Sequence, residues 1–118
     1  SNSHSLGGSG MPEIHYNVIK CFAYLSILIE LSNGKELTGY DVIANAKEYG
    51  LEISPGTVYH QLRMLSRDGI IIGKSKGKKM TYKMTEEGLK TFKEFKKIWA
   101  KPIMYIFTNL QYLGQSKD

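Results

Sequence analysis

The chain has 118 residues, a formal net charge of +5 and a single cysteine, Cys21. That length suits one domain with a modest core and argues against a multidomain enzyme. One thiol excludes a disulfide framework or a multi-cysteine metal site and makes the cytoplasm the default compartment.

Ser1 to Gly10 contains no Lys, Arg, Asp or Glu and almost nothing apolar, so it reads as an expression remnant ahead of a start at Met11. A first helix is predicted from about Ile14 to Leu31. Its apolar residues Val18, Phe22, Leu25 and Ile29 are joined by Cys21, Tyr24, Leu28 and Leu31, wider than a single stripe, so two buried faces are expected. Cys21 is read as a buried, inert thiol. Lys20, Ser26 and Glu30 interrupt the apolar run Val18–Leu31, which falls short of the roughly 20 residues of a membrane span. Asn33-Gly34-Lys35 ends the helix, and Glu36-Leu37 is read as a very short strand.

Three further helix starts share one grammar. Thr38, Ser54 and Thr85 each stand between an apolar residue (Leu37, Ile53, Met84) and a second apolar residue four positions on (Val42, Val58, Leu89). The hydroxyl can accept from an orphan backbone N–H, and the apolar pair can staple the first turn. Asp41 completes a T-x-x-D capping pattern, Pro55 fits the first helical position, and Glu86 and Glu87 suit a helix N-terminus. The second helix is expected to stop at Gly50 in a left-handed C-cap and the third to run from Pro55 to about Asp68.

Ile70-Ile71-Ile72 opens a β run, Gly77 marks a turn, and Met80–Met84 alternates apolar and polar, which predicts a hairpin. Between Lys74 and Lys83, five of ten residues are Lys and none is acidic. From Thr85 the chain is helical again. Leu89, Phe92, Phe95, Trp99, Ile103, Ile106, Leu110 and Leu113 recur at spacings of three or four, a heptad-like seam that Pro102 should kink or split near Lys101. The fold class is therefore mainly α with a small β-hairpin (α+β): a winged helix-turn-helix over residues 11–84 and a dimerisation helix over residues 85–118.

The third helix divides its labour. Val58, Leu62 and Leu65 lie in a narrow arc suited to burial, while Gly56, His60, Arg63 and Arg67 stand roughly opposite with Thr57 and Tyr59 beside them. Such a face, followed at once by a basic hairpin, suits a helix in the major groove of double-stranded DNA with a wing on the backbone. Ser54, Gly56, Thr57, Tyr59, His60, Arg63 and Arg67 are the candidate DNA contacts of the helix, and Lys74, Lys76, Lys78 and Lys79 those of the wing. His60 and Arg63 are the expected base readers, and the Arg63 fork can grip guanine or phosphate.

These same residues resemble a known family. Ser54-Pro55-Gly56-Thr57-Val58-Tyr59, then Leu62, Leu65 and Gly69-Ile70-Ile71, looks like the S-P-G-T-[LIV]-Y helix of PadR-like regulators. Tyr82-Lys83-Met84-Thr85-Glu86-Glu87-Gly88 resembles the Y-x-L-T-x-x-G junction, and Leu37-Thr38-Gly39-Tyr40-Asp41 the L-[ST]-G-Y-[DE] segment. The resemblance covers about Leu37 to Leu89. It implies a homodimer held by the C-terminal helix, usually a repressor, in some members responsive to small aromatic or drug-like ligands. The chain departs from the pattern at His60, where Pro or Arg is commoner, in its Lys-rich wing, and at Met84.

Phe92, Phe95, Trp99, Ile103 and Ile106 are either a pocket for a small aromatic effector or the core of a dimer interface, the second being preferred for Trp99. No enzyme, cofactor or metal site is expected: His4 lies in the leader, and His15 and His60 have no partners at ligand spacing. The competing functions are a winged-helix protein-interaction module and a ligand-binding dimeric sensor with weak DNA affinity.

Overall fold

The computed structural model describes residues 10–114, with side chains to residue 111; most of the leader, including His4, and the side chain of Leu113 lie outside it. The elements are α1 (Met11–Ser32), α2 (Gly39–Glu48), α3 (Pro55–Arg67), β1 (Ile71–Lys76), β2 (Lys79–Met84) and α4 (Glu86–Gly114). Leu37 exchanges backbone hydrogen bonds with Tyr82 at 3.1 and 2.8 Å, which adds a one-residue third strand to the antiparallel hairpin. This is a winged helix-turn-helix followed by one long helix.

The core forms where α1, α2 and α3 meet under the hairpin. Ile27, Leu31, Val58, Leu62, Leu65 and Ile71 are almost wholly buried there. Each such side chain contributes about 1.5–3 kcal/mol of transfer free energy. α1 buries one stripe, Ile19, Ala23, Ile27, Leu28 and Leu31, and leaves Val18 and Ile29 62% and 48% exposed. The chain itself therefore covers one of the two faces expected of this helix. Cys21 is exposed, contrary to the sequence reading. It lies about 200° around the helix from both Ile19 and Ala23, on the side away from the core. By length and apolarity α1 reaches the threshold for a membrane span, which the Val18–Leu31 run alone did not suggest. Its packed stripe identifies it instead as a core helix of this fold.

The three caps form as their residue types dictate. Thr38 Oγ1 accepts from the Asp41 N–H at 3.1 Å while Asp41 Oδ2 accepts from the Thr38 N–H at 2.8 Å. Ser54 Oγ accepts from the Thr57 N–H at 3.1 Å. Thr85 Oγ1 accepts from the Gly88 N–H at 2.9 Å and donates to the Gly69 carbonyl at 2.7 Å, tying the start of α4 to the end of α3. Gly50, at φ 79°, follows α2 in the left-handed region as expected. The hairpin turns through Gly77-Lys78 between the paired Lys76 and Lys79, with φ 62° at Gly77, the sign pattern of a II′ turn.

At the junction of wing and α4, Gly88 is buried, and a Cβ on it would collide with the Ile70 carbonyl. Helix and strand can therefore approach this closely only at a glycine. Beyond it α4 buries Phe92 and half-buries Phe95, and every residue from Lys96 to Gln111 is exposed. The expected split near Lys101 does not occur, for α4 runs through Pro102 as one helix. Proline there removes a single bond to the Ile98 carbonyl, and in so exposed a stretch water can satisfy that oxygen.

Candidate nucleic-acid interface

α3 presents two faces. Val58, Leu62 and Leu65 are buried, whereas Gly56, His60, Arg63 and Arg67 are exposed along the opposite side. Ser54 is engaged in the cap, and its hydroxyl also lies 3.0 Å from Thr57 Oγ1, so the two side chains form one polar unit at the start of the helix. Arg67 stands at the other end, where its guanidinium is 4.0 Å from Asp68 and 3.1 Å from Met64 Sδ. One buried residue of α3 is polar and was not anticipated. Gln61 is 9% exposed; its Nε2 donates to the Lys20 carbonyl of α1 at 2.9 Å, and its Oε1 has no partner among the described residues.

The register of the wing sorts its side chains. Ile72 faces Lys83, Lys74 faces Thr81 and Lys76 faces Lys79, so these residues share the face turned away from the core. Lys78 sits in the turn. Lys76 is 3.9 Å from Glu36, an exposed and therefore weak pairing that leaves the wing strongly basic.

The helix and the wing adjoin. Partial burial and the nearby Tyr59 hydroxyl push the Tyr82 phenol above its ordinary range, while the Arg63 guanidinium pulls it down. Two clefts flank α3. One, of about 350 Å³, is bordered by Tyr16, Lys20, Thr57, His60 and Gln61. The other, of about 530 Å³, lies between the first turn of α2, Tyr59 and the wing tip. The sequence reading did not bring Tyr16, Lys20 or Tyr40 to this region. The one signal in the sequence was their aromatic or basic character at helix positions off the core stripes.

The aromatic group on α4 is only partly gathered. Phe92 stacks on Phe95 with ring centroids 5.6 Å apart, and Phe95 on Trp99 at 6.3 Å. Phe92 and Phe95 line a cavity of about 240 Å³ with Tyr24, Leu28, Leu65 and Asp68. Burial and then the Asp68 carboxylate raise the pKa of the Tyr24 hydroxyl beside it. Trp99 caps the stack but remains 46% exposed, and Ile103 and Ile106 continue along α4 away from the cavity.

Residues 27–94 match the model of the transcriptional regulator PadR-like family. A PadR-like transcriptional regulator from Bacillus cereus is 26% identical, with 86% of this chain and 99% of that one covered at a TM-score of 0.62. A transcriptional regulator from Thermoplasma acidophilum shares the fold at 21% identity and a TM-score of 0.67, over 86% and 99% of the two chains. Bacillus subtilis PadR in complex with operator DNA is 26% identical at a TM-score of 0.52, over 64% of this chain and 46% of that one. Curated protein sequences yielded no significant match.

Proposed function

The chain belongs to the PadR-like family of transcriptional regulators, and from that premise we propose that it is a cytoplasmic, sequence-specific double-stranded DNA-binding protein acting as a homodimeric repressor. The observation that carries this reading is the exposed His60–Arg63 face of α3 together with the wing-tip lysines Lys78 and Lys79, which share a cleft with Tyr59 on the flank of that helix. The bound operator of the Bacillus subtilis relative supports it. In this reading α3 enters the major groove with His60 and Arg63 at base edges and Gly56 allowing close approach. Ser54, Thr57, Tyr59 and Arg67 meet phosphates, as do Lys74, Lys76, Lys78 and Lys79, and the protein regulates rather than catalyses.

The dimer is inferred from apolar surface that the chain leaves uncovered. Trp99, Ile103, Ile106, Phe107 and Leu110 on α4, with Val18 and Ile29 on α1, are all at least 40% exposed. A row of this extent aggregates unless a second copy covers it, so residues 85–118 are assigned to dimerisation and residues 11–84 to DNA binding. Sedimentation equilibrium at micromolar concentration should return a dimer, and a stable monomer would refute this assignment. The Phe92–Phe95–Trp99 stack beside a cavity favours one added feature, a small aromatic effector that shifts DNA affinity.

Footprinting on the DNA flanking the protein's own gene tests the function. Two protected patches on one face of the duplex are expected, with half-site centres about one helical turn apart. A single asymmetric footprint would contradict the symmetric dimer. No binding would favour the protein-interaction module or a sensor that has lost DNA.

A further inference from the structure

Tyr40 is 70% exposed in the first turn of α2, so core packing gives it no role. Tyr59, on the flank of α3, is placed with unusual care. Its ring lies against Gly39 so closely that a Cβ there would overlap ring carbons Cε1 and Cζ and fall 2.6 Å from the hydroxyl. Gly39 is not among the glycines of positive φ, so its backbone makes no demand for glycine. What the missing side chain provides is a seat for the Tyr59 ring. Lys78 and Lys79 form the opposite wall of the resulting cleft.

The chemistry of this lining selects an anion. It offers two phenol donors and two ammonium groups. Its one carboxylate, Asp41, is turned into the cap, where Oδ2 accepts from the Thr38 N–H at 2.8 Å. The position selects which anion. Tyr59 lies about 100° around α3 from His60 and about 40° from Arg63, so it stands at the edge of the base-reading face on the Arg63 side. A helix with its side chains is about 10–12 Å across and the major groove about 12 Å wide, so the flanks of a helix lying in the groove meet its phosphate walls.

We propose that the cleft between the first turn of α2 and the wing tip seats one backbone phosphate in each half-site, contacted by Tyr40, Tyr59 and the wing-tip lysines, and that Gly39 is a positioning residue that sets Tyr59 for this contact. The proposal rests on the DNA-binding reading above and adds a site to it.

Ethylation interference on an end-labelled duplex carrying the footprinted sequence tests it, because each modified phosphate is scored separately. With the wild-type chain, ethylation of one phosphate beside each α3 should block binding. Tyr40→Phe should weaken binding about 5- to 150-fold, the size of two net hydrogen bonds, one in each half-site, and relieve the block at that phosphate while others persist. Gly39→Ala should relieve the same phosphate, and circular dichroism checks its fold. Should Gly39→Ala fail to fold, Tyr40→Phe and Tyr59→Phe still decide the matter at the same phosphate. Unchanged interference in Tyr40→Phe, or an equal weakening at every phosphate, overturns the cleft while leaving DNA binding intact. A wild-type chain that binds no duplex at all retires both readings.

Discussion

Replacing Gln61 by Met should stabilise the protein, although it removes a hydrogen bond from the centre of α3. The side chain is 9% exposed and only half satisfied, since Nε2 reaches the Lys20 carbonyl at 2.9 Å while Oε1 has no partner among the described residues. Losing a typical hydrogen bond costs about 0.5–1.5 kcal/mol net, whereas a buried unsatisfied polar atom carries a penalty of about 1–3 kcal/mol. The Lys20 carbonyl lies inside α1 and keeps its intrahelical partner, so the substitution strands no backbone group. Met matches Gln closely in length and volume, and its thioether suits a site among Val58, Leu62 and α1. The balance is a gain of about 1 kcal/mol, which for a domain of this size corresponds to a rise of about 3–6 °C in Tm. Urea unfolding at fixed protein concentration measures it, with the concentration held because a dimer's stability depends on it. A loss of more than about 1 kcal/mol would refute the reasoning and indicate that Oε1 is satisfied, by water or by an unrecognised donor.

Gly88→Ala should destabilise the fold by about 1–3 kcal/mol, as overpacking does, because the added Cβ meets the Ile70 carbonyl. A thermal melt within about 1 °C of wild type would contradict that close approach. Lys74→Ala should weaken specific and random DNA alike and lower the slope of log affinity against log salt by about one unit per wing, about two for the dimer. Altered sequence preference with an intact slope would remove the wing from the backbone.

The parts of this fold legible in the sequence are those set by local chemistry. Thr38, Ser54 and Thr85 cap because a hydroxyl three residues ahead of an orphan N–H has little else to do, and the apolar residues around them fix the first turns. The phase of α1 was less legible. Nearly every turn carries large apolar residues, so the true stripe Ile19, Ala23, Ile27 and Leu31 was hidden behind Val18, Cys21 and Ile29, which stay exposed. Ala23, wholly buried, adds little to any hydrophobic pattern, yet it belongs to the tightly packed stripe against α2 and α3. Gln61 was invisible for the opposite reason, being a polar residue in a core position. Pro102 misled because its local rule ignores solvent, which can serve the freed carbonyl of an exposed helix. Within the candidate site, the outer face of α3 and the wing lysines could be read from spacing. Tyr16, Lys20 and Tyr40 could not, since only the packing of α1 and α2 against α3 brings them to its flanks.

Whether α3 reads base edges is measured most directly with Arg63→Ala. Binding of the wild-type and variant chains to the footprinted duplex and to a random duplex, followed by fluorescence anisotropy at one salt concentration, separates recognition from general attraction. If Arg63 forks a base in the major groove of each half-site, the variant dimer should lose about 1–3 kcal/mol per half-site, about 2–6 kcal/mol in all, on the specific duplex beyond its loss on the random one. An equal loss on both would mean that Arg63 touches only backbone, and α3 would not be the reader of the sequence.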